Sequence, residues 1–300
     1  MDNLKKFHPT KIKKTLLDLG LIKNENLEIF SKKTRDVENL YVYRDTESKL
    51  IFIDNFYTGN ETYELGKYRT DSLSVKQKTS GEYEDIEDTQ RRFEQFKQFT
   101  INKKICDFGC GNGGFLRKSV KLSKHSIGLE LQKNFIDSLN NDGIDCYDKI
   151  EKIDSDLDTI FMFHTFEHLP DPMGTLKTLH KKLKDSESHV VIEVPHAKDF
   201  LLDTMELESF KDFTLWSQHL ILHTRESLET FLINAGFKNI IIKGFQRYGL
   251  ANHLFWLRHN QPGGHKSNFA KLESENLSNS YSLSLSNIDA NDTLIAIATK

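Results

Sequence analysis

The chain has 300 residues, of which 37% are hydrophobic, which is enough for one large domain or for one domain with additions. Its formal net charge of −3 argues against a broad basic surface for nucleic acid. No apolar run approaches the ~20 residues of a membrane helix, and the first residues lack the apolar region of a signal peptide. The three cysteines, Cys106, Cys110 and Cys146, have no zinc-binding spacing. We therefore expect a cytoplasmic protein with no membrane insertion.

The N-terminal part predicts a helix followed by a short hairpin. Thr10 is a candidate N-cap for a helix over residues 11–19, and Gly20 is its expected stop. The runs YVYRD (41–45) and LIFID (50–54) alternate like two short strands joined by a turn.

The next stretch, residues 56–84, has no clear period, and it contains the tyrosines Tyr57, Tyr63, Tyr68 and Tyr83. Phenylalanines then recur at every third position, which predicts a helix over residues 86–99. Arg91 and Arg92 of this helix either reach the cofactor or face solvent.

From residue 103 onward, short apolar runs alternate with helical stretches. The runs are KKICDFG (103–109), SIGLEL (126–131), IDCYD (144–148), DTIFMF (158–163) and HVVIEVP (189–195). Such alternation indicates βαβ units and a parallel sheet with helices on both faces. Because right-handed crossovers place all the strand ends along one edge, we expect the ligand site at that edge.

Two further apolar runs, 238–245 and 292–300, have no helical crossover between them and are expected to pair antiparallel at one sheet edge. A helix that opens at Thr224 and ends at Gly236 precedes the first of them. The residues between the two runs form an insertion, in which the serine-rich stretch 277–287 is predicted to be a loop.

The strongest motif is DFGCGNGG (107–114), which lies between an apolar strand and a helix. Its glycines allow a tight turn and let a ligand touch the main chain. Gly109, Gly111 and Gly114 satisfy G-x-G-x-x-G, and Glu130 at the end of the next strand can accept hydrogen bonds from ribose hydroxyls.

Three interpretations of this motif compete. A ligand-free turn is disfavoured because so many glycines cost stability without a purpose. A dinucleotide such as NAD would bring a pyrophosphate, which the carboxylate of Asp107 would repel. S-adenosylmethionine (SAM) instead carries a sulfonium and an ammonium, which the same carboxylate stabilises. Asp107 therefore favours SAM.

The motif sequences resemble a known family. ICDFGCGNGGFL resembles motif I of class I SAM-dependent methyltransferases, IGLEL resembles their motif II, and FHTFEHLPDP (163–172) is similar to the segment after strand four in small-molecule methyltransferases. The resemblance implies an α/β fold with a Rossmann-like, seven-stranded mixed sheet and SAM as cofactor. It implies cofactor contacts at Asp107, Gly109, Cys110, Gly111, Glu130, Leu131, Asp148 and His164.

The segment from His164 to His168 also matches H-x-x-E-H, a zinc-peptidase signature. That chemistry needs both histidines on one helical face. Here the motif follows an apolar strand and precedes Pro170 and Pro172, and proline disfavours helix in the residue before it. The motif is therefore predicted to be a strand-end loop, and no metal is expected.

Methyl transfer requires the protein to position a nucleophile and to receive its proton, a task suited to imidazole. Several histidines fall on the loops after the fourth and fifth strands or just before the Thr224 helix. The candidate catalytic residues are His168, His164, His196 and His219, together with Glu167 as a residue that orients a histidine.

Two further resemblances concern the acceptor. The layout after strand five resembles nucleotide-sugar C-methyltransferases, but their N-terminal zinc domain is cysteine-rich and the hairpin here has no cysteine, which favours O- or N-methylation. The segment QRY…NHL…W…PGGH (246–265) is similar to methyltransferases of bacterial surface-polysaccharide assembly. A packed lid is the alternative interpretation of this segment. The candidate substrate-binding residues are Arg247, Tyr248, Asn252, His253 and Trp256.

These patterns predict an N-terminal cap (1–85), a SAM-binding core (86–247), an insertion over the acceptor site (248–290) and a final core strand (291–300). The predicted reaction moves a methyl group from SAM to a hydroxyl or amine of a small, sugar-containing acceptor such as a nucleotide sugar, in surface-polysaccharide biosynthesis, with a histidine as general base. No nucleic-acid partner is expected. A sugar C-methyltransferase, an NAD-dependent oxidoreductase and a non-catalytic SAM-binding module are the alternatives.

Overall fold

The computed structural model describes residues 8–64, 66 and 75–300, and for residues 75–85 it describes the backbone alone. Tyr68 and the side chain of Tyr83, which the sequence pattern singled out, lie outside the described residues. Within these ranges, no helix is both long enough and apolar enough to cross a membrane.

The described strands form two sheets. They are β1 (Leu27–Ser31), β2 (Val42–Asp45), β3 (Ile51–Ile53), β4 (Lys104–Phe108), β5 (His125–Leu129), β6 (Asp145–Tyr147), β7 (Thr159–Phe163), β8 (His189–Pro195), β9 (Ile221–Leu222), β10 (Lys238–Phe245) and β11 (Thr293–Thr299). The larger sheet has the order β10-β11-β8-β7-β4-β5-β6, and the smaller has the order β1-β2-β3-β9.

The larger sheet is mixed. Strands β4, β5, β6, β7 and β8 pair in parallel. Strand β11 is antiparallel to both β8 and β10, so the two final runs pair as expected. The predicted α/β fold with a Rossmann-like, seven-stranded mixed sheet is confirmed.

Helices surround the sheets. They are α1 (Ile12–Asp18), α2 (Asn60–Glu64), α3 (Val75–Phe96), α4 (Gly114–Ser119), α5 (Lys133–Asn141), α6 (Pro172–Lys182), α7 (Glu208–Thr214), α8 (Arg225–Ala235), α9 (Leu250–His259) and α10 (Glu275–Asn287). Those that connect the parallel strands bury one apolar face each, as their sequence period requires.

Alternate residues of the central strand β7 enter different apolar clusters, because successive strand side chains point to opposite faces. Ile160 and Met162 pack in the cluster that contains Leu176 of α6 and the apolar residues of α8. Phe161 and Phe163 pack in the other cluster, with apolar residues of α3, α4 and α5. The sheet is therefore covered on both faces, which leaves its strand ends as the accessible edge.

The smaller sheet contains the predicted hairpin, which is confirmed as β2 and β3. The sequence pattern missed its two outer strands. Strand β1 precedes the hairpin, and β9 follows β8 and pairs antiparallel with β3, placing Ile51 opposite Leu222. The N-terminal segment is thus joined to the core by backbone hydrogen bonds as well as by apolar packing.

Two predicted helix starts are wrong. The first helix is preceded by Lys11 as its N-cap residue, and the Thr10 hydroxyl is buried without a hydrogen bond. The chain does turn at Gly20, whose φ is +69°. The helix predicted over 86–99 begins at Val75, and its last residues, Lys97–Phe99, form a 3₁₀ turn.

The serine-rich stretch predicted to be a loop is helix α10, so that prediction is also wrong. Ser274 caps it by accepting a hydrogen bond from the amide of Leu277. Within the helix, Ser284 and Ser286 donate their hydroxyls to carbonyls one turn earlier, which satisfies the groups that usually favour loops. Leu285 is only 3% exposed and anchors the helix.

The start of α8 gives a test of local stability. The Thr224 hydroxyl accepts a hydrogen bond from the amide of Ser227, and the Ser227 hydroxyl accepts one from the amide of Thr224. We expect Thr224→Ala to lower the free energy of unfolding by about 1 kcal/mol, because a buried helix start loses its cap. Urea unfolding measures the change.

Thr178→Ala is the matched control, because that hydroxyl donates to a carbonyl inside α6 and caps nothing. Equal losses in the two variants would contradict the assigned role of Thr224.

Candidate functional site

A cavity of about 630 Å³ lies where strands β4, β5 and β7 end. A cleft of this size is in the range that holds small molecules. Its floor is formed by the glycine loop and the ends of these strands, and its other walls come from the N-terminal segment, from α3 and from the loop after β7. The wall residues outside the sheet include Tyr57, Asn60, Tyr63, Asp88, Arg92, His168 and Arg247.

The glycine loop after β4 turns through backbone conformations that other residues rarely adopt. Gly109, Gly111 and Gly113 have φ values of +79°, +56° and +75°. A Cβ atom on Gly109 would lie 2.5 Å from the hydroxyl of Thr165, so this position excludes any side chain. The loop consequently exposes its main chain to the cavity.

The Glu130 carboxylate holds this loop in place. One oxygen accepts a hydrogen bond from the amide of Gly111 at 2.8 Å. The other accepts from the amides of Leu131 and Gln132 at 2.7 and 2.9 Å. The residue predicted to bind ribose therefore also supports the turn, a role that the sequence pattern did not suggest.

Asp107 lies near the end of β4 and is a buried carboxylate in the wall of the cavity. It is 3% exposed, and its Oδ1 atom has no hydrogen-bond partner among the described residues. Burial raises its pKa to about 7, with Glu130 adding to the rise and Arg92 opposing it. A cationic ligand would restore the charge of this carboxylate.

The other predicted cofactor-binding residues line the same cavity. They are Gly109, Cys110, Gly111, Glu130, Leu131, Asp148 and His164. Asp148 also forms an ion pair with Lys152 at 2.6 Å. The fold thus brings together the whole set that the sequence motifs predicted, although the set is spread over four segments of the chain.

A buried ion network that the sequence pattern missed lies beside the cavity. Glu193 of β8 is 0% exposed. It accepts hydrogen bonds from Arg91 at 2.9 and 3.0 Å and from Arg92 at 2.6 and 3.0 Å. Burial alone would raise the pKa of Glu193, but Arg92, His164 and Arg91 hold it well below its ordinary value. Arg91 and Arg92 therefore bind the sheet instead of facing solvent; the available signal was an acid inside the apolar run 189–195.

Arg247 follows β10 and lines the cavity, as predicted. Its guanidinium is paired with Asp88 of α3. It also lies 5.3 Å from the ring centre of Tyr248. Because Arg247 already has a carboxylate partner, an anionic ligand group would have to compete with Asp88.

The H-x-x-E-H segment leaves β7 and forms a 3₁₀ turn, Phe166–His168, as its prolines predicted. His164 has a φ of +50°, and its two ring nitrogens lie 3.3 Å from Glu167 Oε1 and 3.3 Å from Glu193 Oε1. Burial alone would lower the pKa of His164, but the two carboxylates raise it. His164 therefore favours the charged form between two buried acids.

His168 also lines the cavity and has a defined tautomer. Its Nδ1 lies 2.8 Å from the backbone oxygen of Gln218. Since a carbonyl only accepts, Nδ1 carries the hydrogen and Nε2 has a lone pair. Burial lowers the pKa of His168, which favours the neutral ring. Nε2 lies 3.7 Å from Glu167 Oε1.

Glu167 stands behind both histidines and is fully buried. Burial alone would raise its pKa, but His168, His164 and His219 lower it to about 2. The carboxylate is therefore ionised and can stabilise a positive charge on either neighbouring ring.

Two predicted catalytic histidines lie outside the cavity wall. His196 is buried, its Nδ1 donates to the backbone oxygen of Asn291, and burial lowers its pKa to about 4. His219 lies behind His168, with the two ring centres 5.0 Å apart. The structure thus places His164, Glu167, His168 and His219 together and His196 apart from them.

Three of the residues predicted to bind substrate are packed against other parts of the protein. Trp256 is 2% exposed and packs on the rings of Phe210 and Phe213. His253 bonds the Tyr281 hydroxyl at 2.7 Å, and Asn252 accepts from the amide of Gly264. Tyr248, Asn252, His253 and Trp256 do not line the described cavity, so of this predicted set only Arg247 does.

The walls that the sequence pattern did not assign come from the N-terminal segment. Tyr57 and Tyr63 stack with ring centres 6.2 Å apart, and Tyr57 donates to the Asn60 side chain at 2.6 Å. Tyr63 lies edge-on to His168, with a centroid distance of 6.0 Å. The tyrosine-rich composition of residues 56–84 was the only signal for this wall.

Comparison with known proteins relates the chain to methyl-transfer proteins. The sequence profile described as "Methyltransferase domain" matches residues 2–241. A tRNA U34 carboxymethyltransferase from Aliarcobacter butzleri is 28% identical over 153 residues, which are 46% of this chain and 48% of that protein. The chain thus spans about half the length of this curated relative.

Solved structures are also similar. A SAM-dependent methyltransferase from Archaeoglobus fulgidus is 20% identical, with a TM-score of 0.49, over 71% of this chain and 92% of that one. A phosphoethanolamine N-methyltransferase 2 from Haemonchus contortus, in complex with phosphomonomethylethanolamine and S-adenosylhomocysteine, is 19% identical. Its TM-score is 0.47, over 71% of this chain and 53% of that one.

The raised pKa of Asp107 predicts a pH-dependent affinity for a cation. Asp107 ionises near pH 7 in the free protein, and only its ionised form attracts the sulfonium. Protons therefore compete with SAM below that pH. We expect the affinity for SAM to fall roughly 20-fold between pH 7.5 and 5.5, as measured by calorimetry.

Asp107→Asn is the control. It should bind SAM weakly, with little dependence on pH over the same range. An equally steep loss in Asp107→Asn would assign the titration to another group.

Proposed function

This chain belongs to the methyltransferase-domain family, and we propose that it methylates a hydroxyl or amine of a small acceptor, using S-adenosylmethionine as the donor. The observation that carries the proposal is the position of Asp107. This buried carboxylate lines the cavity beside the glycine loop, and one of its oxygens has no hydrogen-bond partner among the described residues. A carboxylate in that position favours a cationic metabolite over a diphosphate.

The residues of the cavity fit the cofactor. Asp107 would face its cationic methionyl part, and Gly109 and Gly111 would contact it through their main chain. Glu130 and Asp148 would lie along the nucleoside. When bound, SAM supplies a methyl carbon activated by the sulfonium. The chain's own task is then to orient the acceptor, to exclude water and to hold the acceptor's proton.

His168 is the residue we propose as proton acceptor. It lines the cavity, its Nδ1 hydrogen is fixed by the Gln218 carbonyl, and its Nε2 lone pair is available. Glu167, 3.7 Å from Nε2, would stabilise the imidazolium that forms. His164 is less suited to this role, because both its nitrogens already face carboxylates.

The acceptor we propose lies against Tyr57, Asn60 and Tyr63. Aromatic faces and an amide suit a sugar ring, which supports a sugar-containing acceptor of surface-polysaccharide synthesis, as does the resemblance of residues 246–265 to such enzymes.

Carbon methylation is the second candidate, favoured by the layout after strand five. The net charge of −3 gives no support for a tRNA acceptor like that named for the Aliarcobacter relative.

The experiment is an acceptor screen with SAM carrying a labelled methyl group. Nucleotide sugars, free sugars, small amines and bulk tRNA are incubated with the protein, and mass spectrometry locates the label. Label on a sugar oxygen or amine supports the proposal. Label on a sugar carbon supports the second candidate, and label on tRNA alone contradicts the small acceptor.

His168→Ala tests the proton acceptor. We expect methyl transfer to fall at least about 100-fold, in the range that general bases contribute, while the affinity for SAM stays unchanged. Transfer is measured on the acceptor that the screen identifies, and affinity is measured by calorimetry.

His125→Ala is the matched control, because that histidine is exposed, pairs with Asp145 and lies outside the described cavity wall. Loss of SAM binding in His168→Ala would show a structural role instead of proton transfer.

A further inference from the structure

We propose that Glu167, His168 and His219 form a binding site for a transition-metal ion of the Zn²⁺ type, and that an ion bound there blocks methyl transfer. One donor atom from each residue lies within 4.8 Å of the others. Two imidazoles and one carboxylate are a set that Zn²⁺ binds with an open fourth position. The blocking effect rests on the proposed function, whereas the binding of the ion does not.

The tautomer of His168 is the first support. Its Nδ1 hydrogen is donated to the Gln218 carbonyl, as the second nitrogen of a metal-binding histidine commonly does. Nε2, which then has the lone pair, lies 3.7 Å from Glu167 Oε1. Two electron-rich atoms at this distance repel each other unless a proton or a metal ion lies between them.

Glu167 is the second support. It is 0% exposed, and within the described residues neither carboxylate oxygen has a hydrogen-bond partner of good geometry. His164 Nδ1, 3.3 Å from Oε1, offsets its charge in part. A buried carboxylate needs compensating partners, and the geometry leaves room for a cation on the side of His168 and His219.

His219 is the third support. Its Nδ1 is buried and has no hydrogen-bond partner in the part of the chain that the structure describes. Its ring centre lies 5.0 Å from that of His168, and the ring of Trp216 packs edge-on against both histidines. The packing holds the two imidazoles close together, so one ion can contact both.

The surrounding charges indicate the class of ion. Burial lowers the pKa of both His168 and His219, and His164 and Arg35 lower it further, so these two positive groups would oppose any cation. The Arg35 guanidinium lies 4.4 Å from the Trp216 ring centre. Coordinate bonds to imidazole must overcome this repulsion. Zn²⁺ and Co²⁺ form such bonds readily, whereas Mg²⁺ prefers oxygen donors and keeps its waters.

Binding of the ion has a direct consequence for the proposed reaction. The ion would use the Nε2 lone pair of His168 that otherwise receives the acceptor's proton. Because His168 lines the cavity and Glu167 and His219 do not, the ion would sit at the edge of the cavity beside His168 and would not use Asp107 or the glycine loop as ligands. The H-x-x-E-H pattern predicted no metal because it indicates a zinc site on a helix. The site proposed here instead combines the turn after β7 with His219, which is distant in the sequence.

The experiment titrates the metal-free protein with Co²⁺. We expect one ion per chain with the intense visible absorption of a tetrahedral site, displaced by Zn²⁺. Glu167→Gln and His219→Ala should lose the band, and His125→Ala should keep it. No stoichiometric band in the wild type, or a band that survives in both ligand variants, overturns the site.

Calorimetry with S-adenosylhomocysteine separates this proposal from the proposed function and checks that the variants are folded. We expect equal affinity with and without Zn²⁺. Should a variant fail to fold, the titration of the wild-type protein decides whether the site exists. With an acceptor in hand, Zn²⁺ should suppress transfer at least about 10-fold, and a chelator should restore it. Transfer that requires the ion would overturn the blocking role.

Discussion

The site depends on one buried carboxylate. Asp107 ends a central strand of the sheet, and burial costs it the water that would stabilise its charge. The neighbouring glycines have no side chains that could pair with Asp107. The Glu130 carboxylate already accepts hydrogen bonds from the amides of Gly111 and Leu131, so these amides do not compensate the charge of Asp107. A cationic ligand would compensate this charge, which is the basis of the selectivity that we propose.

Two further buried acids, Glu167 and Glu193, organise the loop after β7. Glu193 joins α3 to the sheet through Arg91 and Arg92, and His164 lies between Glu193 and Glu167. These contacts fix the loop after β7, and they therefore fix the position of His168. The cavity thus has the glycine loop with the buried Asp107 on one side, and on another side His164 and His168 held beside buried carboxylates.

The sequence predicted the larger sheet and the set of residues that gather at the glycine-loop side of the cavity, because both follow from local patterns. Apolar runs gave the strands, and the glycine motif with Asp107 and Glu130 gave the site. It could not predict the contacts between distant segments. Strand β9 completes a sheet begun at β1, and Arg91 binds Glu193, which is 102 residues away in the sequence. Trp256 was assigned to substrate because a packed aromatic and a stacking platform look alike in sequence. Serines satisfied within α10 likewise resemble a loop.

Above all, we propose that the glycine loop selects an adenosyl sulfur compound over a dinucleotide. Calorimetric titration of the protein with S-adenosylhomocysteine, and separately with NAD⁺, under identical conditions tests it most directly. We predict one S-adenosylhomocysteine bound per chain and no heat from NAD⁺. Tight uptake of NAD⁺, with no heat from S-adenosylhomocysteine, would contradict the account.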